Sequence, residues 1–235
     1  MDFNFSFIWK TLPDVLAAVP MTLFLTILPV VLGAVIGFFL ALLRIKKIPV
    51  LYQLTGLYIS FFRSVPLIIL LFCSYYGIPK LINFVAHDGN RVLGVTDVSA
   101  LVVALIVLTL YSGAYITELI RGALSSVDMK QMEAAHAVGM TKKDSYLRII
   151  LPQAIIVALP NYFNFVLSTL KNTSVVFVIS VMDMMATAKI AAEAGYRFIE
   201  AYVLVGALYV IIGFVAEKIF KNIEKNAKRH VGLET

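Results

Sequence analysis

From about Val19 to Leu43 the chain carries no charged residue. A run of that length exceeds the roughly 20 residues a helix needs to cross a bilayer. Arg44, Lys46 and Lys47 close it. The same logic predicts a second crossing from about Leu54 to Tyr76, which contains Arg63, and a third from about Val98 to Ile120. A fourth covers about Pro152 to Leu170 and a fifth about Phe198 to Ala216, with Glu200 at its outer edge. Residues 78–97, with Lys80, His87, Asp88, Asn90, Arg91 and Asp97, read as a mixed loop. The apolar run Val175 to Met182 is too short to cross and ends in Asp183, so it reads as a buried or re-entrant segment lining a cavity. Residues 185–197 are rich in small side chains and read as a helix near the outer surface.

The predicted fold is therefore an all-α integral membrane protein with five transmembrane helices. Residues 1–17, with Phe3, Phe5, Phe7, Ile8 and Trp9 beside Lys10 and Asp14, read as an interfacial segment with Pro13 as a breaker. Residues 18–216 form the transmembrane domain and 217–235 a basic tail. Gly33 and Gly37 make a GxxxG that permits close helix approach.

The longest polar interruption, about 125–152, separates the third and fourth runs. Ser125 and Asp128 have capping-box spacing, so a helix is expected from there through Glu133, Ala134 and Ala135 to about Val138. Gly139 stops it, and Thr141 with Asp144 repeats the box ahead of a second short helix toward Ile149 and Ile150. The result is a helix-turn-helix elbow. Val127, Met129, Met132, Ala135, Val138 and Met140 give it an apolar knob suited to a partner's groove, opposite a charged side.

Composition agrees: 60% hydrophobic, 14% charged and a mean hydropathy of +0.90 exclude an ordinary soluble domain. The net charge of +6 is not a nucleic-acid signature, because the basic residues sit at the ends of apolar runs. With the N-terminus outside, thirteen of the twenty Lys and Arg residues fall on the cytoplasmic side, which places the elbow and the C-terminus there. The single Cys73 excludes an intrachain disulfide.

The order Glu133-Ala134-Ala135, three residues, Gly139, nine residues, Ile149-Ile150-Leu151-Pro152 resembles the cytoplasmic EAA loop of ABC importer permeases. Phe62-Arg63-Ser64-Val65-Pro66-Leu67, the run Ala114 to Ala123 and Leu170-Lys171-Asn172-Thr173-Ser174 are similar to the polar amino acid subgroup, although Lys130 and Asn172 depart from its usual residues. The resemblance covers about Pro20 to Asp183. It implies the type I importer fold in the bacterial cytoplasmic membrane and docking of the elbow onto an ATP-hydrolysing subunit pair. A second permease subunit, identical or not, and an extracellular or periplasmic amino-acid-binding protein are implied as well. ATP and Mg would be bound by the ATPase partner, and Glu133, Ala134, Ala135, Gly139, Met140 and Pro152 would carry the coupling. Arginine, histidine, glutamine and cystine are among the candidate solutes.

No phosphate-binding loop occurs in the chain, no Ser/His/Asp set can be grouped, and His87, His136 and His230 lack metal-ligand spacing. No catalytic residue, metal site or cofactor is therefore expected in the chain itself, and energy must enter through another subunit. An amino acid needs an acceptor for its ammonium and a donor for its carboxylate. Tyr111, Tyr115, Glu118, Asn164, Lys171, Asp183 and Glu193, together with Arg63, are the polar groups in or near the membrane that could serve, with Asp183 foremost. Each also has a structural reading, such as an ion pair between Glu118 and Arg121. The rival to an ATP-driven importer is a stand-alone, ion-coupled secondary amino acid carrier working through such charges.

Overall fold

In the computed structural model, residues 3–86 and 93–230 are described. The loop positions His87, Asp88, Asn90 and Arg91 lie outside the described residues.

Every regular element among the described residues is helical. The N-terminal part is α1 (Phe5–Ala17) followed by α2 (Val19–Lys46), with Ala18 in helical geometry between them. Pro13 sits inside α1 and does not break it, since the helices buttress a missing N–H. Thr11 and Val15 of α1 are buried, and α1 packs on α9 (Met184–Gly195) and α10 (Phe198–His230), while Trp9 stays exposed.

The expected second crossing from Leu54 to Tyr76 is corrected. The chain breaks at Val65, which is extended (φ −88°, ψ 129°) because the ring of Pro66 disfavours helical geometry in the residue before it. The outcome is α3 (Pro49–Ser64), too short to cross, and α4 (Leu67–Ala86), which takes over much of the predicted loop. Five helical stretches are long and apolar enough to cross among the described residues: 5–46, 67–85, 100–125, 142–179 and 198–229.

Packing centres on α2 against α5 (Ala100–Ser125). A Cβ on Gly33 would lie 2.9 Å from the backbone N of Gly113 and closer still to the Ser112 side chain. One on Gly37 would lie 3.0 Å from the Thr117 N. The two glycines therefore set the helix separation. Gly33→Ala is expected to cost about 2 kcal/mol, because backbone must move to admit the methyl. Thermal unfolding in detergent measures this, and Gly206→Ala, with open space around its Cβ position, serves as the control.

Around this pair, Leu25, Leu71, Val103 and Leu108 form one core with Val176 and Ile179 of a 3₁₀ run, Thr173–Ile179. The segment expected as a short apolar run is thus a 3₁₀ helix wedged among α2, α4 and α9. A second core joins Val15 to Met184, Ala188, Ala201 and Leu204. Large apolar residues face outward along the spans, for example Val35, Phe39, Val210 and Phe214, as suits helices solvated by hydrocarbon.

Candidate functional site

The elbow leaves α5 at Ser125. The expected Ser125–Asp128 box does not form, because α5 runs through Ser125, and Asp128 instead accepts from Lys130 N at 2.9 Å ahead of α6 (Lys130–Ala137). At the end of α6, Gly139 N donates to His136 O and Met140 N donates to Ala135 O, both at 3.0 Å. That pair of bonds is a Schellman cap, which requires a left-handed residue, and Gly139 supplies it at φ +85°. Thr141 then accepts from Asp144 N at 3.1 Å, as its spacing predicts, and opens α7 (Lys142–Ser145).

The predicted knob is divided by the fold. Val127 and Met132 turn inward onto Ile150 and Ala154, and Ala135 is buried too. Met129, Lys130, Glu133, Ala134, His136 and Val138 remain exposed, so the free surface around α6 combines one carboxylate with a lysine, an imidazole and small and apolar groups. A π-helical turn, Tyr146–Ile150, joins α7 to α8 (Leu151–Asn172), and Pro152 lies just inside α8.

A cavity of about 570 Å³ opens between α3, α5 and α8, lined by Arg63, Tyr115, Glu118, Gly122, Asn161 and Phe165 among others. The Arg63 guanidinium sits 5.4 Å over the Tyr115 ring. Tyr115 stacks on Phe165 at 5.4 Å between centroids, and Tyr111 lies 4.6 Å from Tyr115. Glu118 is gripped from two sides: Arg121 Nη2 donates at 2.7 Å and Arg44 Nη1 lies at 3.3 Å. The Arg44 and Glu118 side chains are only 15% and 18% exposed, so this is a mostly buried pair. Arg44 also donates to Tyr52 Oη at 3.4 Å, which ties α2, α3 and α5 together at this end of the cavity.

A family model described as the binding-protein-dependent transport system inner membrane component matches residues 30–229. The chain belongs to that family. Such a permease is a component of a transport system rather than an enzyme, and membership implies an inner-membrane location with ATPase and binding-protein partners. The permease is 40% identical over 212 residues to the probable amino-acid permease protein YxeN of Bacillus subtilis (strain 168), covering 90% of each chain. It is 35% identical to the L-cystine transport system permease protein TcyL of the same organism, covering 97% of this chain and 93% of that one. Among solved structures it is similar to a chain of an amino acid ABC transporter crystallised with histidines, with a TM-score of 0.84 and 30% identity over 96% of this chain and all of that one. A likeness to the MetNI methionine ABC transporter, at a TM-score of 0.61 and 19% identity, shows the shared type I importer fold.

Within the permease, Arg63, Tyr115 and Glu118 meet at the cavity, with the Tyr111 ring tilted against Tyr115 behind them. The other expected residues are elsewhere. Asp183 is 0% exposed and caps α9, its Oδ1 accepting from Ala186 N at 2.8 Å, so it anchors a helix instead of lining this cavity. Lys171 lines a separate cavity of about 270 Å³ with Tyr209 and Glu217, between α8 and α10. Asn164 is exposed on α8 and lines neither. Asn161 and Phe165, one turn apart on α8, take the place expected of it. Their i, i+4 spacing beside Val157 marks one helix face in the sequence, but nothing there says which face meets α5.

Proposed function

We propose that this permease carries a polar amino acid across the cytoplasmic membrane by alternating access, powered by ATP hydrolysis on a partner pair docked at the elbow. In this reading the N-terminus is outside, the elbow and C-terminus are cytoplasmic, and ATP with Mg resides on the partner. A second permease subunit completes the pathway, and an extracellular or periplasmic binding protein delivers the solute. The observation that carries the substrate class is the cavity: a guanidinium free to meet a carboxylate, an amide, and an aromatic wall converge on a space of about 570 Å³. Relatives described as amino-acid and cystine permeases support the same class. Glu118, neutralised by two arginines, holds the mouth of the cavity in shape and keeps its field from repelling the solute's carboxylate.

The test is reconstitution of the chain with its co-expressed ATPase, followed by ATP-driven uptake of a panel of radiolabelled polar amino acids. One or a few are expected to accumulate. Arg63→Ala is expected to cut that uptake about tenfold, the equivalent of one charge-assisted contact. Glu133→Ala is expected to release the ATPase. Accumulation by the chain alone under an ion gradient, indifferent to Glu133→Ala, would establish the stand-alone carrier instead.

A further inference from the structure

Pro152 has no N–H to offer Arg148 O, and its ring would collide with that carbonyl in a regular α-helix. The turn ahead of it accordingly widens into the π-helical run Tyr146–Ile150, with Leu151 N donating to Tyr146 O. A widened turn is a soft place in a helix. It falls where α8 must receive any movement of the elbow.

One side chain bridges that soft place. Gln153 Nε2 donates to Ile149 O inside the widened turn at 3.1 Å and to Gln131 Oε1 at 2.6 Å. Gln131 Nε2 returns the bond to Gln153 Oε1 at 3.2 Å. This reciprocal amide pair is half-buried, and each glutamine is followed in the chain by a member of the elbow's apolar cluster, Met132 or Ala154. It joins α6, two residues from Glu133, directly to the first turn of α8 and bypasses the Gly139 turn.

We propose that the Gln131–Gln153 pair is the transmission joint of the permease, locking the widened turn before Pro152 so that movement of α6 becomes movement of α8. Both glutamines are positioning residues: they touch neither solute nor nucleotide. The proposal rests on the reading that the elbow docks the ATPase. Without the pair the ATPase remains bound and turns over, but the π turn flexes and α8 lags.

The test uses the permease–ATPase complex in proteoliposomes and reads three quantities: ATPase retained, ATP hydrolysed, and solute moved per ATP. Gln153→Leu, which removes all three of these bonds, is expected to leave the first two near wild type and to lower the third at least fivefold, since each net hydrogen bond corresponds to a factor of about two to ten. Gln131→Leu, on a short helix outside the spans, is expected to do the same and reads the effect independently should Gln153→Leu fail to fold. The double variant Gln131→Glu with Gln153→Lys replaces the amide pair by an ion pair and is expected to restore most of the ratio. An unchanged ratio in both leucine variants, with ATPase retained, overturns the joint and leaves the docking reading intact. So does failure of the double variant to recover. A wild-type permease that holds no ATPase overturns the docking reading itself, and this proposal with it.

Discussion

Gly139→Val is expected to lower ATP-driven uptake by up to about thirtyfold while the transmembrane bundle stays folded. At φ +85° a valine Cβ meets the neighbouring carbonyl, and a left-handed geometry costs an L-residue about 1–2 kcal/mol, more when it is β-branched. Beyond its own chain neighbours nothing lies within 4 Å of the Cβ position, so the penalty is local backbone strain and not a clash with the rest of the fold. The cheapest relief is to unmake the Schellman cap, which frees the Ala135 and His136 carbonyls and swings α6 away from α7. A penalty of about 2 kcal/mol shifts the ratio of capped to unmade turns about thirtyfold toward the unmade form, and uptake falls by up to that factor. Uptake in proteoliposomes, with circular dichroism as the control on folding, measures both halves of the expectation. Gly139→Asn, which tolerates the left-handed region, is expected to retain most of the activity. Equal loss in both would show that the turn's shape is not what matters.

Glu118→Leu is expected to be the most damaging single change to stability, at about 3 kcal/mol. The carboxylate neutralises Arg44 and Arg121 together, and the Arg44 side chain is mostly buried with its Nε lacking any hydrogen-bond partner. Removing the acid leaves a guanidinium stranded among α2, α3 and α5, a worse state than a plain cavity. The readout is the midpoint of thermal unfolding in detergent, which should fall by several degrees. Glu118→Gln keeps the shape and one acceptor, and is expected to recover part of the loss. A midpoint unchanged in Glu118→Leu would mean that the arginines find water or lipid headgroups at no cost.

The number of crossings and the place of the elbow could be read from the chain because hydrocarbon leaves few alternatives: charge-free runs must be helices, and a charged stretch must lie outside them. Gly139 and the Thr141–Asp144 pair were legible for the same local reason. Pro66 was not, since Pro13, Pro29, Pro79 and Pro160 all lie inside helices that neighbours support, and only the fold distinguishes the proline that breaks from those that bend. The Arg44–Glu118 pair was equally hidden, because its partners come from different helices brought together by the Gly33 and Gly37 contact. Asp183 carried a readable signal that was outweighed: an aspartate directly before Met184-Met185-Ala186 is an N-cap pattern, and its buried role follows from that. Asn161 against Asn164 is a question of helix phase, decided by aromatic packing of Phe165 on Tyr115.

The continuity of α7, the π turn, α8 and the 3₁₀ run gives the molecule a gearing. From Lys142 to Ile179 the chain is one helical rod of 38 residues. At 1.5 Å per residue, Asn161 and Phe165 stand about 30 Å from the tip of that rod. Pivoting the tip by about 10° would sweep those two side chains through roughly 5 Å, comparable to the width of an amino acid backbone. Because Asn161 and Phe165 form one wall of the cavity while Arg63, Tyr115 and Glu118 belong to α3 and α5, such a stroke changes the aperture without deforming either wall. The leverage is set by the length of the rod, so inserting or deleting a turn between Pro152 and Asn161 would alter the stroke as well as the alignment.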